Sequence, residues 1–200
     1  MPRSHRLAVA FAAATVMLAP TVAQAQSIDN MYPTGNYYPS CYDGSLSQGH
    51  FCQTDNADLS VYLQGTLSAG AKSTIKSSLS SYYSPTDLAV SVKSSGVYSG
   101  SSETDIIYQS GTLSDSYIGM TWCDDAVTGT KCDQHYIRFN KNFGINKSDA
   151  CHETGHAVGL THGNNASPRV SPNNTIVGCM TEIDTYYLGA NNRAEINATY

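Results

Sequence analysis

Charge is what this 200-residue sequence has least of: Asp, Glu, Lys and Arg together make up 14% of it. With 11 basic and 16 acidic residues the net charge is −5, and no stretch gathers Lys and Arg into a stripe. Such a chain is a poor partner for a nucleic-acid backbone or an anionic membrane surface. Long apolar runs are lacking too. The longest, residues 7–18 with Thr15 as its only interruption, is too short for a permanent bilayer-spanning helix. Closely spaced cysteines are also missing. No two of the six lie within the two-to-four-residue gap of a cysteine zinc knuckle, which argues against a metal site built on sulfur. No internal repeat or linker divides the chain, and its length suits one domain.

What is present begins with an export signal. Arg3 and Arg6 precede the apolar run, Pro20 breaks it, and Ala23-Gln24-Ala25 supplies a small-x-small cleavage pattern. The reading is a signal peptide over residues 1–25, a secreted mature chain and no stable membrane anchor once the signal is removed. Its removal takes away two basic residues and no acidic one, leaving a net charge of −7. All six cysteines lie beyond it, and an even count in an exported chain reads as three disulfides. Proximity favours Cys41–Cys52 and Cys123–Cys132, leaving Cys151–Cys179, although six cysteines allow about 15 pairings and spacing alone does not choose among them.

Residues 26–56, rich in Tyr, Pro, Gly and Ser, read as an irregular leader pinned by a disulfide, ahead of a catalytic domain over 57–200. Alternation predicts strands at 59–63, 88–92, 106–108, 117–122 and 135–139. Helical spacing predicts a helix over 68–83 that Pro85 ends. A turn is expected over 124–131, bracketed by Cys123 and Cys132. His135 shares a strand face with Ile137 and Phe139 and reads as a core histidine. The clearest helix covers 149–158, with Ser148 as N-cap and Gly159 as its left-handed stop. Residues 164–178 read as a loop and 193–200 as a short closing helix.

That clearest helix carries chemistry. His152 and His156 are four apart, so both rings lie on one face and can reach one ion. Glu153 sits beside that ion without ligating it. Gly159 permits a turn that brings His162 in from the far side. Three neutral imidazoles leave one tetrahedral position open, the mark of a catalytic zinc and not a structural one. Glu153 is then placed to take a proton from water and hand it to a leaving amine. A chance match to this pattern arises in roughly one such chain in a hundred thousand, so incidental histidines are a poor explanation.

The segment from His152 to His162 resembles the zinc signature of the metzincin clan of metallopeptidases. Carried over, His152, His156 and His162 look like the ligands of one zinc ion, Glu153 the catalytic residue and Gly159 the turn glycine. Met180, after Cys179, looks like the clan's methionine turn beneath the metal. The resemblance implies an α+β zincin domain: a mixed twisted sheet, a backing helix, an active-site helix and an irregular C-terminal subdomain. The strand at 117–122 then resembles the edge that pairs with an extended polypeptide substrate. The wording His-Glu-Thr-Gly-His is similar to small secreted snapalysin-type bacterial proteases, which carry aspartate where this chain has His162. Astacin- and serralysin-like members place a tyrosine two residues after the methionine; here that residue is Glu182. No matrixin-type cysteine switch is present. The family within the clan stays open.

The sequence thus points to a secreted, monomeric zinc endopeptidase hydrolysing peptide bonds with a water that Glu153 activates. Two rivals stand beside it: a secreted zinc-containing binding or inhibitory domain without turnover, and a disulfide-stapled surface domain without metal. Asp124, Asp125 and Asp133 offer carboxylates to calcium but lack the spacing of a calcium loop.

Overall fold

The computed structural model describes residues 27–200; the signal segment expected at 1–25 lies outside the described residues. Six strands form one sheet: β1 (Gln53–Thr54), β2 (Ser60–Leu63), β3 (Ser91–Lys93), β4 (Ile106–Gly111), β5 (Gly119–Ala126) and β6 (Lys131–Asn140). β2 lies between β3 and β4, β4 pairs with β6, and β1 pairs with the start of β6, all in parallel. β5 alone runs antiparallel, against β6. Adjacent parallel strands require a crossover, and α1 (Ala69–Ser78) supplies the one between β2 and β3. With α2 (Lys147–Ala157), an irregular C-terminal stretch and α3 (Ala190–Thr199), the architecture is α+β around a mixed sheet.

The core follows from strand alternation. Val61 and Leu63, Ile106 and Tyr108, and Ile137 and Phe139 are successive inward residues of β2, β4 and β6, all fully or nearly fully buried. Ile75 and Leu79 reach them from the α1 side, and Ala150, Cys151, Ala157 and Val158 from α2. Tyr108 Oη lies 2.9 Å from Thr154 Oγ1, joining the middle of the sheet to α2 by a buried hydrogen bond.

Several boundaries differ from the sequence expectation for identifiable reasons. The helix expected over 68–83 starts after Ser68, its N-cap, and changes at Leu79 into a π-helical turn, Leu79–Tyr83, before Pro85. The strands flanking the expected turn at 124–131 extend into it, so only 127–130 turn. Asp125 pairs with Gln134 and Ala126 with Cys132 across an irregular register. α2 starts earlier than expected. Its N-cap is Asn146 and not Ser148: the Asn146 side chain accepts from Ser148 and Asp149 N–H, and Asp149 accepts from the Asn146 N–H in return. Ser148 instead exchanges hydrogen bonds with the Thr185 backbone. The loop expected over 164–178 contains two 3₁₀ turns, Gly163–Asn165 and Thr175–Met180.

The segment from residue 27 to 56 is irregular apart from β1, yet it enters the core. Ile28 and Met31 are buried there, and isolated bridges join Asp29 to Ser167 and Met31 to Leu160. The cysteines pair as Cys41–Cys52, Cys123–Cys132 and Cys151–Cys179, leaving none free. Among the described residues no helix is long and apolar enough to cross a membrane.

Candidate metal centre and active site

α2 is buried on most of its faces, with Ala150, Cys151, Glu153, Thr154, Gly155, His156 and Ala157 all inaccessible or nearly so. Packing therefore holds it more than any amphipathic stripe does. Gly159, at φ 95°, turns the chain out of the helix, and the following segment is tied down by the N-terminal residues. Thr161 N–H donates to the Asn30 carbonyl at 2.8 Å, and Asn30 Nδ2 donates to the Thr161 carbonyl at 3.1 Å. His162 is thereby brought back over the helix.

The three rings converge. His162 Nε2 lies 3.0 Å from His152 Nε2 and 3.1 Å from His156 Nε2. The ring protons of His152 and His156 are committed elsewhere. His152 Nδ1 faces the Cys179 carbonyl at 2.8 Å, and His156 Nδ1 faces the Leu160 carbonyl at 2.9 Å. A carbonyl can only accept, so each Nδ1 carries the proton and each Nε2 presents a bare lone pair. Two bare lone pairs aimed at one point, with His162 Nε2 at the third corner, suit a cation between them. A tetrahedral zinc with bonds near 2.0–2.1 Å would separate its nitrogens by about 3.3–3.4 Å, close to the spacing found. Burial holds all three histidines below their ordinary pKa, His156 also through its two neighbours and His162 at about 4, so the ligand set is neutral. The donor set fits a divalent ion of the zinc type, and the backbone acceptors behind two of the rings are the orienting shell such ligands need.

Glu153 does not join the cluster. Its carboxylate turns toward β5, where Thr121 Oγ1 donates to Oε2 at 2.7 Å. Burial raises its carboxyl to about 7, opposed by the Thr121 bond. A cation at the imidazoles would draw that value down again. Gly119 makes the approach possible, since a Cβ there would stand 2.6 Å from Glu153 Cγ. Phe51 packs on the His156 ring at 4.3 Å between centroids. Met180 is fully buried and lies against α2 at Gly155, where an added Cβ would stand 2.2 Å from its sulfur. The Cys151–Cys179 disulfide joins the neighbours of His152 and Met180, and Cys179 also supplies the carbonyl that orients His152.

These groups open into a cleft of about 570 Å³. β5 forms one wall, the stretch from Thr181 to Asp184 faces it, and Gln48, Gly49 and Phe51 stand at one end. Glu182 lines this cleft as a carboxylate where a tyrosine was excluded by sequence. His135 is fully buried, its Nε2 accepting from the Cys52 N–H at 3.4 Å and its Nδ1 without a partner, away from the three-histidine cluster. Of the acidic residues weighed for calcium, Asp125 and Asp133 gather with Glu103, and Asp133 also with Asp55 and Asp105; Asp124 joins neither group.

Sequence reasoning missed Thr121, Gly119, Gly155 and Asn30. Gly155 was detectable in principle, because a glycine inside a helix costs about 1 kcal/mol against alanine and so invites a packing reason. Gly119 and Thr121 share a strand face, but their partner lies in another element and leaves no local signal.

No protein-family model matches the chain, and no curated protein matches it in sequence. Among solved structures it is similar to high choriolytic enzyme 1, a hatching enzyme zinc-protease from Oryzias latipes (Medaka fish). The two share 14% identity with a TM-score of 0.36, over 62% of this chain and 55% of that one. The match thus spans little more than half the length of the hatching enzyme's chain.

Proposed function

We propose that the chain is a secreted zinc-dependent peptidase of the metzincin type, with His152, His156 and His162 as ligands and Glu153 as general base. The observation that carries this is the convergence of three Nε2 atoms, two of whose rings are fixed by backbone carbonyls, beside a carboxylate that is near the cluster but outside it. A bound zinc ion supplies Lewis acidity, polarising the peptide carbonyl and lowering the pKa of water. The protein's own groups do the rest. Glu153, held by Thr121, accepts a proton from the attacking water and returns it to the departing amine. The free edge of β5 aligns an extended polypeptide across the cleft. The buried Met180 and the Cys151–Cys179 bridge keep the ligand helix rigid beneath it.

The test uses the secreted chain with its disulfides intact. It should hold one zinc by elemental analysis, cleave casein, and lose activity with a chelator. Glu153→Gln should keep its zinc while kcat/KM falls about 10²–10⁴-fold. Zinc without cleavage in the wild type would favour the non-catalytic binding domain, and absence of zinc would sink both readings.

A further inference from the structure

The edge of β5 is open along only part of its length. Cys123 donates its N–H to the His50 carbonyl at 2.7 Å and accepts from the Gly44 N–H at 2.9 Å, while Ala126 N–H donates to Asp43 Oδ1 at 2.9 Å. Segment 43–50 therefore occupies the outer edge from Cys123 onward. Peptide groups along a strand alternate in direction, so those of Thr121 and Gly119 point to the same edge as those of Cys123, and they lie inside the cleft. The covering segment is firmly held. Cys41–Cys52 closes it, Cys123–Cys132 fixes the strand beneath it, and the half-sulfurs of both bridges pack in one buried cluster with Tyr32. Tyr42 stacks on His50 at 5.0 Å and Tyr37 on Phe51 at 5.9 Å. Gly49 presses on the Met120 side chain. At the other end, Tyr117, Ile118 and Ile183 line the cleft with exposed side chains.

Resting on the peptidase reading above, we infer that the cleft is blocked on its amino-terminal side, so that the enzyme cuts polypeptides close to their amino terminus. A peptide added to β5 pairs best antiparallel, the more stable arrangement and the one β5 already makes with β6. Its amino-terminal residues then lie toward Cys123 and meet segment 43–50. The catalytic carboxylate stands between Thr121 and Gly119, two to four positions from the blockage, so about two to four residues before the scissile bond pair with the edge. Residues after it continue past Ile118 into the open. This narrows the endopeptidase expectation from sequence to release of short amino-terminal fragments.

A ladder of peptides sharing one core sequence, with one to eight residues before a common bond, tests this by mass spectrometry of the products. The expected result is short amino-terminal fragments and a kcat/KM about tenfold lower for long extensions than for two to four residues. Binding of the same ladder to zinc-loaded Glu153→Gln, read by calorimetry, should weaken in step with length. The double variant Cys41→Ser/Cys52→Ser loosens the cover and should relax the preference; if it fails to fold, the wild-type ladder decides alone. Equal rates at every length, or short carboxy-terminal fragments, would overturn the inference while leaving the peptidase reading intact. No cleavage of any peptide, by contrast, would tell against that reading itself.

Discussion

At the scale of single residues, the site depends on a hydroxyl that holds a carboxylate. Thr121 Oγ1 is the side-chain donor to Glu153, which is buried in the cleft beside the three imidazoles. Thr121→Val keeps the shape and removes the donor, so kcat should fall about 10–100-fold with zinc content unchanged. Thr121→Ser should restore most of the loss. A variant that sheds its zinc, or one that keeps full kcat, would show that the hydroxyl has another task. The residues around it were unevenly legible. His152, Glu153 and His156 stand out because helical spacing alone puts two rings on one face. His162 stands out because Gly159 makes room for a turn. Thr121 does not, because its contact spans 32 positions and nothing near it in sequence marks it as special.

At the scale of elements, α2 shows why a helix can be easy to find and its ends hard to set. Its glutamate and histidines announce it, yet Asn146 and Ser148 are both good capping residues, and the capping box with Asp149 decides for Asn146. The helix also carries a glycine in its last turn, which isolated helix propensity disfavours. The reason lies across an element boundary, where Met180 occupies the space of the missing side chain. Gly155→Ala, which stabilises many exposed helices, should here destabilise by about 1–3 kcal/mol through overpacking. Met180→Ala, which empties the same space, costs about 2–5 kcal/mol on its own. The double variant should therefore cost less than the two single changes together, a favourable coupling readable by chemical denaturation. Additive losses would place the two side chains in separate packing environments and remove Met180 from the floor beneath α2.

At the scale of the whole molecule, the α+β architecture was readable from alternation and helical period, whereas the role of residues 27–34 was not. Residues 27–34 look like a polar, proline-containing leader, and only the fold reveals Asn30 bonded to Thr161, Asn191 and Asn192 at once. Such a hub has no period and no motif; it exists because residues 27–34, the loop that carries His162 and α3 meet. A second long-range pair makes the stability of the fold depend on pH. Asp105 is almost fully buried in the sheet and accepts from both the N–H and the hydroxyl of Ser60, with Asp55 and Asp133 close by. Burial raises its carboxyl from 3.8 to about 6, against the Ser60 bonds, with Asp55 adding a little. Between those two values the folded chain keeps a proton that the unfolded chain has released, so Asp105 makes stability fall as pH rises through that window, with the loss complete above it. The amide introduced by Asp105→Asn cannot ionise and keeps an oxygen for Ser60. The melting temperature of this variant relative to wild type should therefore climb between about pH 4 and pH 7 and level off beyond. A difference that stays flat, or that shrinks with rising pH, would mean that the folded protein holds Asp105 as a comfortable carboxylate, with Ser60 outweighing the cost of burying it.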